Sequence, residues 1–271
     1  MDDPFLLETL GASVRMIRRG DGDRLRPRLD EIEAIALDGA PAPEGARRYR
    51  GRGTPIGLDV GADLSVVVRA NRHGGVLRGI TRDLYCGTPR PFREARLSAR
   101  AEAAGVPTPT VLAAGIRRAA SGLLHRGFVV TREVRGARDL RRLFLDRPAP
   151  LAAQRRAALD AAGRAVAELH DAGLRHADLN LMNLLWRPEG GVLILDLDRA
   201  RLMPGGLPAS ARRVNLRRLN RSAEKLRRMG AGITRADRLR FLRAYLDAAE
   251  GLTAELPLLW SRLRPRRLVR A

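Results

Sequence analysis

The chain has 271 residues, 45% hydrophobic and 30% charged, which excludes a disordered class and leaves room for two modest lobes with their own cores. Its 51 Lys+Arg against 30 Asp+Glu give a formal charge of +21, and every cation but Lys225 is arginine, so an anionic partner is expected: nucleic acid, an anionic membrane or an acidic substrate. The lone Cys86 excludes an intramolecular disulfide and a cysteine-based zinc site, and neither a basic leader nor an apolar run of spanning length is present, which predicts a cytoplasmic protein, neither secreted nor transmembrane.

Residues 1–50 mix apolar pieces (Phe5–Leu10, Ser13–Ile17, Ile32–Leu37) with Gly and Pro punctuation near 40–45, and read as short elements and loops. From Pro55 the signals sharpen. Ile56–Val60 and Leu64–Arg69 are β-branched runs split by Gly61-Ala62-Asp63, a hairpin. Phe92, Ala95 and Ala99 then share one face of a helix from Pro91 to Ala104, closed by Gly105. Thr110–Gly115 and Leu123–Val134 read as two further antiparallel strands. After Gly136 the pattern turns helical: Asp139–Leu145, then an Ala-rich helix from Leu151 to Ala172 closed by Gly173. A polar loop, His176–Asn183, leads into a small hairpin, Leu184–Trp186 and Val192–Leu195. Helices near 209–229, 234–250 and 254–264 finish the chain. The boundary near residue 136 predicts two lobes, 1–136 and 137–271.

The chemistry concentrates in His176-Ala177-Asp178-Leu179-Asn180-Leu181-Met182-Asn183 and in Asp196, thirteen residues beyond Asn183. Phosphoryl transfer from ATP needs a carboxylate beside the acceptor hydroxyl and oxygen ligands for Mg²⁺. A loop presenting Asp178 and Asn183, followed by a hairpin returning Asp196, can supply all three. The plainer alternative makes Asp178 and Asn183 turn formers and Asp196 a strand terminator.

The segment resembles the protein-kinase catalytic loop H-R-D-L-x-x-x-N, with Ala177 in place of Arg, and Asp196-Leu197-Asp198 stands where kinases have D-F-G. The resemblance implies an α+β, two-lobed protein-kinase-like fold: an N-terminal antiparallel sheet with one helix, then a mostly helical lobe. It gives Asp178 the role of catalytic base, Asn183 and Asp196 that of Mg²⁺ ligands, and His176 an architectural role. Arg69 stands where a kinase has its phosphate-binding Lys, with Glu94 as its partner in the following helix; a solvated strand-edge arginine is the alternative. Gly51-Arg52-Gly53-Thr54 is either a phosphate-covering loop, with Gly51 and Gly53 letting backbone N–H groups approach ATP, or an ordinary turn.

Together with Val68-Arg69-Ala70-Asn71-Arg72-His73-Gly74-Gly75, Phe92-Arg93-Glu94 and Leu195-Asp196-Leu197-Asp198-Arg199-Ala200, these pieces are similar to the 3-deoxy-D-manno-octulosonic acid kinases of the lipopolysaccharide kinase family, over about residues 45–201. In that family the strand residue is likewise Arg and the loop reads H-x-D-L-N. The resemblance implies phosphate transfer from ATP to a hydroxyl of the acidic inner-core sugar on lipid A, with peripheral contact at the cytoplasmic face of the inner membrane.

Arg72, Arg78 and Arg82 are candidates to reach acceptor or nucleotide. Arg212, Arg213, Arg217 and Arg218 recur at helical spacing and read as a solvated face. The basic C-terminus, Arg262 to Arg270, is either a lipid-surface segment or a disordered tail. Two rival functions stand beside the main one. An aminoglycoside- or choline-type kinase would use the same loop but needs acidic walls for a cationic acceptor, and this chain offers arginines. A basic nucleic-acid or anionic-membrane binding protein would explain the charge, but aromatics at 4% leave little for bases to stack on, and nucleic acid is not expected as a partner.

Overall fold

The computed structural model describes residues 3–49, 54–71, 84–119, 122–146 and 151–249. Gly51, Gly53, Arg72, Arg78, Arg82, the helix expected at 254–264 and the basic C-terminus lie outside the described residues. Two compact units divide the chain, residues 1–100 with 109–135, and residues 101–108 with 136–271.

The first unit is built on an antiparallel sheet. Its strands run in the order β1 (Phe5–Leu10), β2 (Ser13–Arg18), β7 (Val111–Arg118), β8 (Leu124–Arg132), β5 (Ser65–Ala70), β4 (Ile56–Asp59) and β3 (Arg47–Arg48), and the short β6 (Tyr85–Cys86) also pairs with β8. The two apolar pieces near the N-terminus are therefore strands that extend the sheet beyond β7. Both faces are covered. Helix α2 (Arg90–Ala103) buries Ala95 and Ala99 against Phe5, Met16, Val111, Ala114 and Val129. On the other face, a 3₁₀ turn at Asp23–Arg28 leads into α1 (Leu29–Glu33) and a π-helical turn at Ala34–Asp38. Leu25, Leu29, Ile32 and Ile35 follow helical spacing and pack on Ile17, Val66, Val68, Phe128 and Val130. Each such side chain removed from water contributes roughly 2 kcal/mol. This cover was not apparent in the sequence, where Gly, Pro and charged residues break the periodicity.

Buried carboxylates lock the covers in place. Glu33 accepts from Ser13 Oγ at 2.5 Å, Arg15 Nε at 2.9 Å and Arg117 Nε at 2.7 Å, fixing α1 to β2 and β7. Glu133, just past β8, accepts from Arg47 Nε at 2.8 Å and Nη2 at 2.7 Å and from the Tyr49 hydroxyl, which ties β3 to the end of β8. Three donors on one desolvated carboxylate satisfy it where a single partner would not.

In the second unit the Ala-rich α4 (Ala152–Asp171) lies against α6 (Arg235–Ala248), whose start is closed by a reciprocal capping box between Thr234 and Asp237. The two helices approach closely at Gly163, where an added Cβ would stand 2.6 Å from the Phe241 carbonyl oxygen and 2.7 Å from the Tyr245 nitrogen. Gly163→Ala would raise stability by about 1 kcal/mol in an exposed helix. Here the overlap is with backbone, so we expect a net loss of about 1–2 kcal/mol, read as a lower urea midpoint at unchanged m-value. The unit also holds α3 (Leu140–Leu145), capped by Asp139, the hairpin β11 (Leu184–Arg187) and β12 (Gly191–Ile194), and α5 (Ala209–Arg228). Strand β9 (Arg138–Asp139) pairs with β11, and β10 (Leu174–Arg175) with β13 (Arg201–Leu202). The Ile194 N–H donates to the Pro107 carbonyl at 2.7 Å, which attaches residues 101–108 to this unit.

Candidate active site

The loop between β10 and β11 has its shape imposed from within. His176 is 1% exposed. Its Nδ1 accepts from the Asp178 N–H at 3.0 Å, so its proton resides on Nε2, which donates to the Leu195 carbonyl at 2.9 Å. One imidazole thus joins the loop to the far end of the hairpin. Burial holds the His176 pKa below its ordinary value, against the opposing pull of the Leu195 carbonyl and of Asp196, Asp178 and Asp198. The neutral tautomer those two bonds require is therefore the stable form, and the architectural role expected of His176 matches its contacts.

Asp178 and Asn183 come together: Asn183 Nδ2 donates to the Asp178 carbonyl at 2.9 Å. Asn180 Nδ2 reaches the same carbonyl at 3.0 Å while Asn180 Oδ1 caps Met182 N–H at 2.8 Å. The loop is thus held through backbone atoms, and the Asp178 carboxylate stands out, 68% exposed. In the hairpin Leu184 pairs with Ile194, and the Leu195 N–H donates to the Asn183 carbonyl at 2.9 Å. Asn183 therefore sits across from the residue next to Asp196. Asp196 has a left-handed backbone, φ +64°, a conformation that costs of order 1 kcal/mol for a residue with a Cβ and is concentrated at functional positions. Its neighbour Leu197 is 1% exposed and anchors the turn, leaving Asp196 exposed.

Helix α5 underpins this loop with a stripe of three side chains that the sequence did not single out as a set. Asn215 Oδ1 accepts from the His176 N–H at 3.1 Å and its Nδ2 donates to the His176 carbonyl at 2.7 Å. Arg218 Nη1 donates to the Ala177 carbonyl and lies 3.6 Å from Asp178 Oδ1. Ser222 Oγ accepts from the Leu181 N–H at 3.3 Å. Spacings of three and four residues put all three on one helix face; that periodicity was visible, but its target lies some forty residues away. Behind Asn215 a buried chain continues: His170 Nε2 lies 3.3 Å from Asn215 Oδ1, and His170 Nδ1 lies 3.0 Å from the Tyr245 hydroxyl. Since Asn215 Oδ1 can only accept, His170 carries its proton on Nε2 and Tyr245 donates to Nδ1.

The expectation of a solvated arginine face on α5 holds for Arg217, which is exposed, but not for Arg212 or Arg218. Arg212 is 6% exposed, donating to Asp171 at 2.7 Å and to the Leu207 carbonyl at 2.6 Å. A carbonyl and a carboxylate draw the Arg212 guanidinium inward, while a carbonyl ties that of Arg218, still 38% exposed, to the loop.

In the first unit Arg69, on β5 opposite Val129, forms an ion pair with Glu94 of α2, whose side chain is 6% exposed. The expected Arg69–Glu94 pairing is present.

As a Mg²⁺ site, Asn183 and Asp196 fit by the chemistry of their donors. Both offer oxygen, Asn183 turns its amide nitrogen toward Asp178, and Mg²⁺ commonly takes one or two protein oxygens together with phosphates and water. Among the described residues no group of three His, Cys, Asp or Glu side chains converges as an all-protein metal site.

Residues 46–245 match the family model of the Lipopolysaccharide kinase (Kdo/WaaP) family, well past the end near residue 201 anticipated from motifs alone. The chain is 35% identical over 201 residues to a 3-deoxy-D-manno-octulosonic acid kinase of Stenotrophomonas maltophilia R551-3, covering 72% of this chain and 76% of that protein. It is 32% identical over 162 residues to a protein of the same name from Vibrio cholerae, covering 58% and 65%. Among solved structures it is similar to WaaP in complex with acyl carrier protein, at 26% identity and a TM-score of 0.55, covering 92% of this chain and 95% of that one. With the loop, the hairpin carboxylate and the two-unit α+β architecture already in place, the chain belongs to the lipopolysaccharide kinase (Kdo/WaaP) family and is a kinase of protein-kinase-like fold.

Proposed function

We propose that this chain transfers the γ-phosphate of ATP to a hydroxyl of the 3-deoxy-D-manno-octulosonic acid in the lipopolysaccharide inner core, with Asp178 as the base. The observation that carries the chemistry is the loop itself: an exposed carboxylate on a backbone immobilised by His176, Asn180 and Asn183. Such a carboxylate is placed by bonds that do not consume it. Asp178 accepts the proton of the acceptor hydroxyl as that oxygen bonds to the γ-phosphorus and the bond from phosphorus to the β,γ-bridging oxygen breaks, leaving ADP. Mg²⁺, when bound, neutralises phosphate charge; Asn183 Oδ1 and the Asp196 carboxylate are assigned to hold it. Arg69, oriented by Glu94, is assigned to the phosphate oxygens, which suit a guanidinium fork. Residues 1–136 take the nucleotide in this reading, and residues 137–271 carry catalysis and the acceptor.

The names of the relatives support the acceptor, and so does a net charge of +21 facing an acidic glycolipid. No helix among the described residues is long and apolar enough to cross a membrane, and we assign the protein to the anionic cytoplasmic face of the inner membrane through peripheral contact. The amino-sugar kinase and nucleic-acid readings find no support in the family match. Labelled γ-phosphate should pass to lipid A carrying one octulosonic acid and not to neutral or cationic amino-sugars. Label on the amino-sugars alone would move the protein to the other kinase class.

A further inference from the structure

A buried imidazole, His176, feels three carboxylates, Asp178, Asp196 and Asp198. In the proposed function, Asn183 and Asp196 on that acidic edge would hold Mg²⁺ and, with it, the nucleotide phosphates. The acceptor must approach on the side of Asp178, and an acceptor carrying its own carboxylate would meet like charge there. Bringing a second carboxylate to within a sugar ring's width of Asp178 requires a cation on the same side.

Arg218 stands at that place. Its guanidinium donates through Nη1 to the Ala177 carbonyl, is 3.6 Å from Asp178 Oδ1, and remains 38% exposed. Its Nε–H is buried and has no acceptor among the described residues. One edge of the fork is thus committed to the loop while the group stays open to solvent beside the base. Arginine is the side chain whose planar fork grips a carboxylate with two parallel hydrogen bonds. A purely structural cation would be expected to pair closely with a carboxylate; Arg218 instead takes a neutral carbonyl and stands off from Asp178 beyond hydrogen-bond range.

We infer that Arg218 is a specificity-determining residue that binds the carboxylate of the acceptor sugar, turning the acceptor so that the reacting hydroxyl lies against Asp178. This rests on the reading of the acceptor as an acidic octulosonic sugar. It distinguishes the role of Arg218 from that of Arg212, whose guanidinium is enclosed by Asp171 and the Leu207 carbonyl.

The test is a cycle on the full chain with two acceptors, lipid A carrying one octulosonic acid and the same glycolipid with its carboxyl converted to the methyl ester. In the parent, esterification should lower kcat/KM by about 10- to 100-fold, the loss of a charge-assisted pair, with the KM for ATP unchanged. Arg218→Gln should lower kcat/KM on the acid by a similar factor and change little between acid and ester. Arg218→Lys retains charge without the fork; it should recover part of the loss on the acid only, and carries the same comparison if the Gln variant folds poorly. An equal loss on acid and ester in both variants would assign Arg218 to the loop or to the transferring phosphoryl group and overturn the inference alone. A parent that phosphorylates neither form would overturn the acceptor reading, and this inference with it.

Discussion

Asp178→Asn should lower kcat by roughly 10²- to 10⁴-fold, the range spanned by positioned general bases, while ATP affinity stays within about threefold and the unfolding midpoint is unchanged. The separation of these effects follows from how the loop is built. Among the described residues, every hydrogen bond that fixes Asp178 uses its backbone: the N–H to His176 Nδ1, and the carbonyl from Asn180 and Asn183. The carboxylate itself is 68% exposed, and its nearest cation, Arg218, is 3.6 Å away. Asparagine keeps that shape and removes only the basic oxygen. Single-turnover transfer of labelled phosphate, with ATP binding measured separately, reads the two effects apart. Turnover equal to the parent would remove Asp178 from the mechanism.

Acid should destabilise the protein from about pH 6.5 downward, starting before the carboxylates begin to titrate. His170 is fully buried, and burial, reinforced by the nearby Arg212 charge, pulls its pKa from 6.5 down to about 3. Its two ring nitrogens are engaged by Tyr245 and Asn215 in the neutral form. Below pH 6.5 the unfolded chain binds a proton that the folded chain refuses, so stability falls as pH falls, and the loss continues until the folded histidine titrates near pH 3. At about 1.4 kcal/mol per pH unit, His170 alone costs about 2–3 kcal/mol between pH 6.5 and 4.5. His176 and His125, both held below their ordinary values chiefly by burial, act in the same direction. Glu168, raised by burial, acts oppositely, but it is exposed and screened. Urea midpoints at pH 7.5, 6.5, 5.5 and 4.5 measure the slope, and His170→Gln should flatten it. A parent midpoint unchanged down to pH 4.5 would show that these imidazoles are hydrated. Since His176 ties Asp178 to Leu195, loss of turnover should accompany the loss of stability.

The residues that the sequence determined are those whose geometry is local. His176, Asp178 and Asn183 lie within one eight-residue loop, and a hairpin turn of three residues, Pro188–Gly190, returns the chain to Asp196, so spacing along the chain stands in for distance in space. The longer helices and strands between Ile56 and Ala248 were equally legible, since their apolar periods are uninterrupted: the Ala-rich helix expected at 151–172 spans Ala152–Asp171, whereas the two-residue strands β6, β9, β10 and β13 carry too little pattern to be read. Only tertiary structure could decide the rest. That β1 and β2 extend the sheet at β7, roughly a hundred residues later, and that Leu25–Ile35 cover its open face, depends on long-range pairing that local pattern does not encode. The same holds for α5. Asn215, Arg218 and Ser222 occupy positions that any solvated amphipathic helix would fill with polar groups. They became ligands of the His176–Asn183 loop because packing of the helix set their face against unsatisfied backbone N–H and carbonyl groups, which had to find partners once water was excluded.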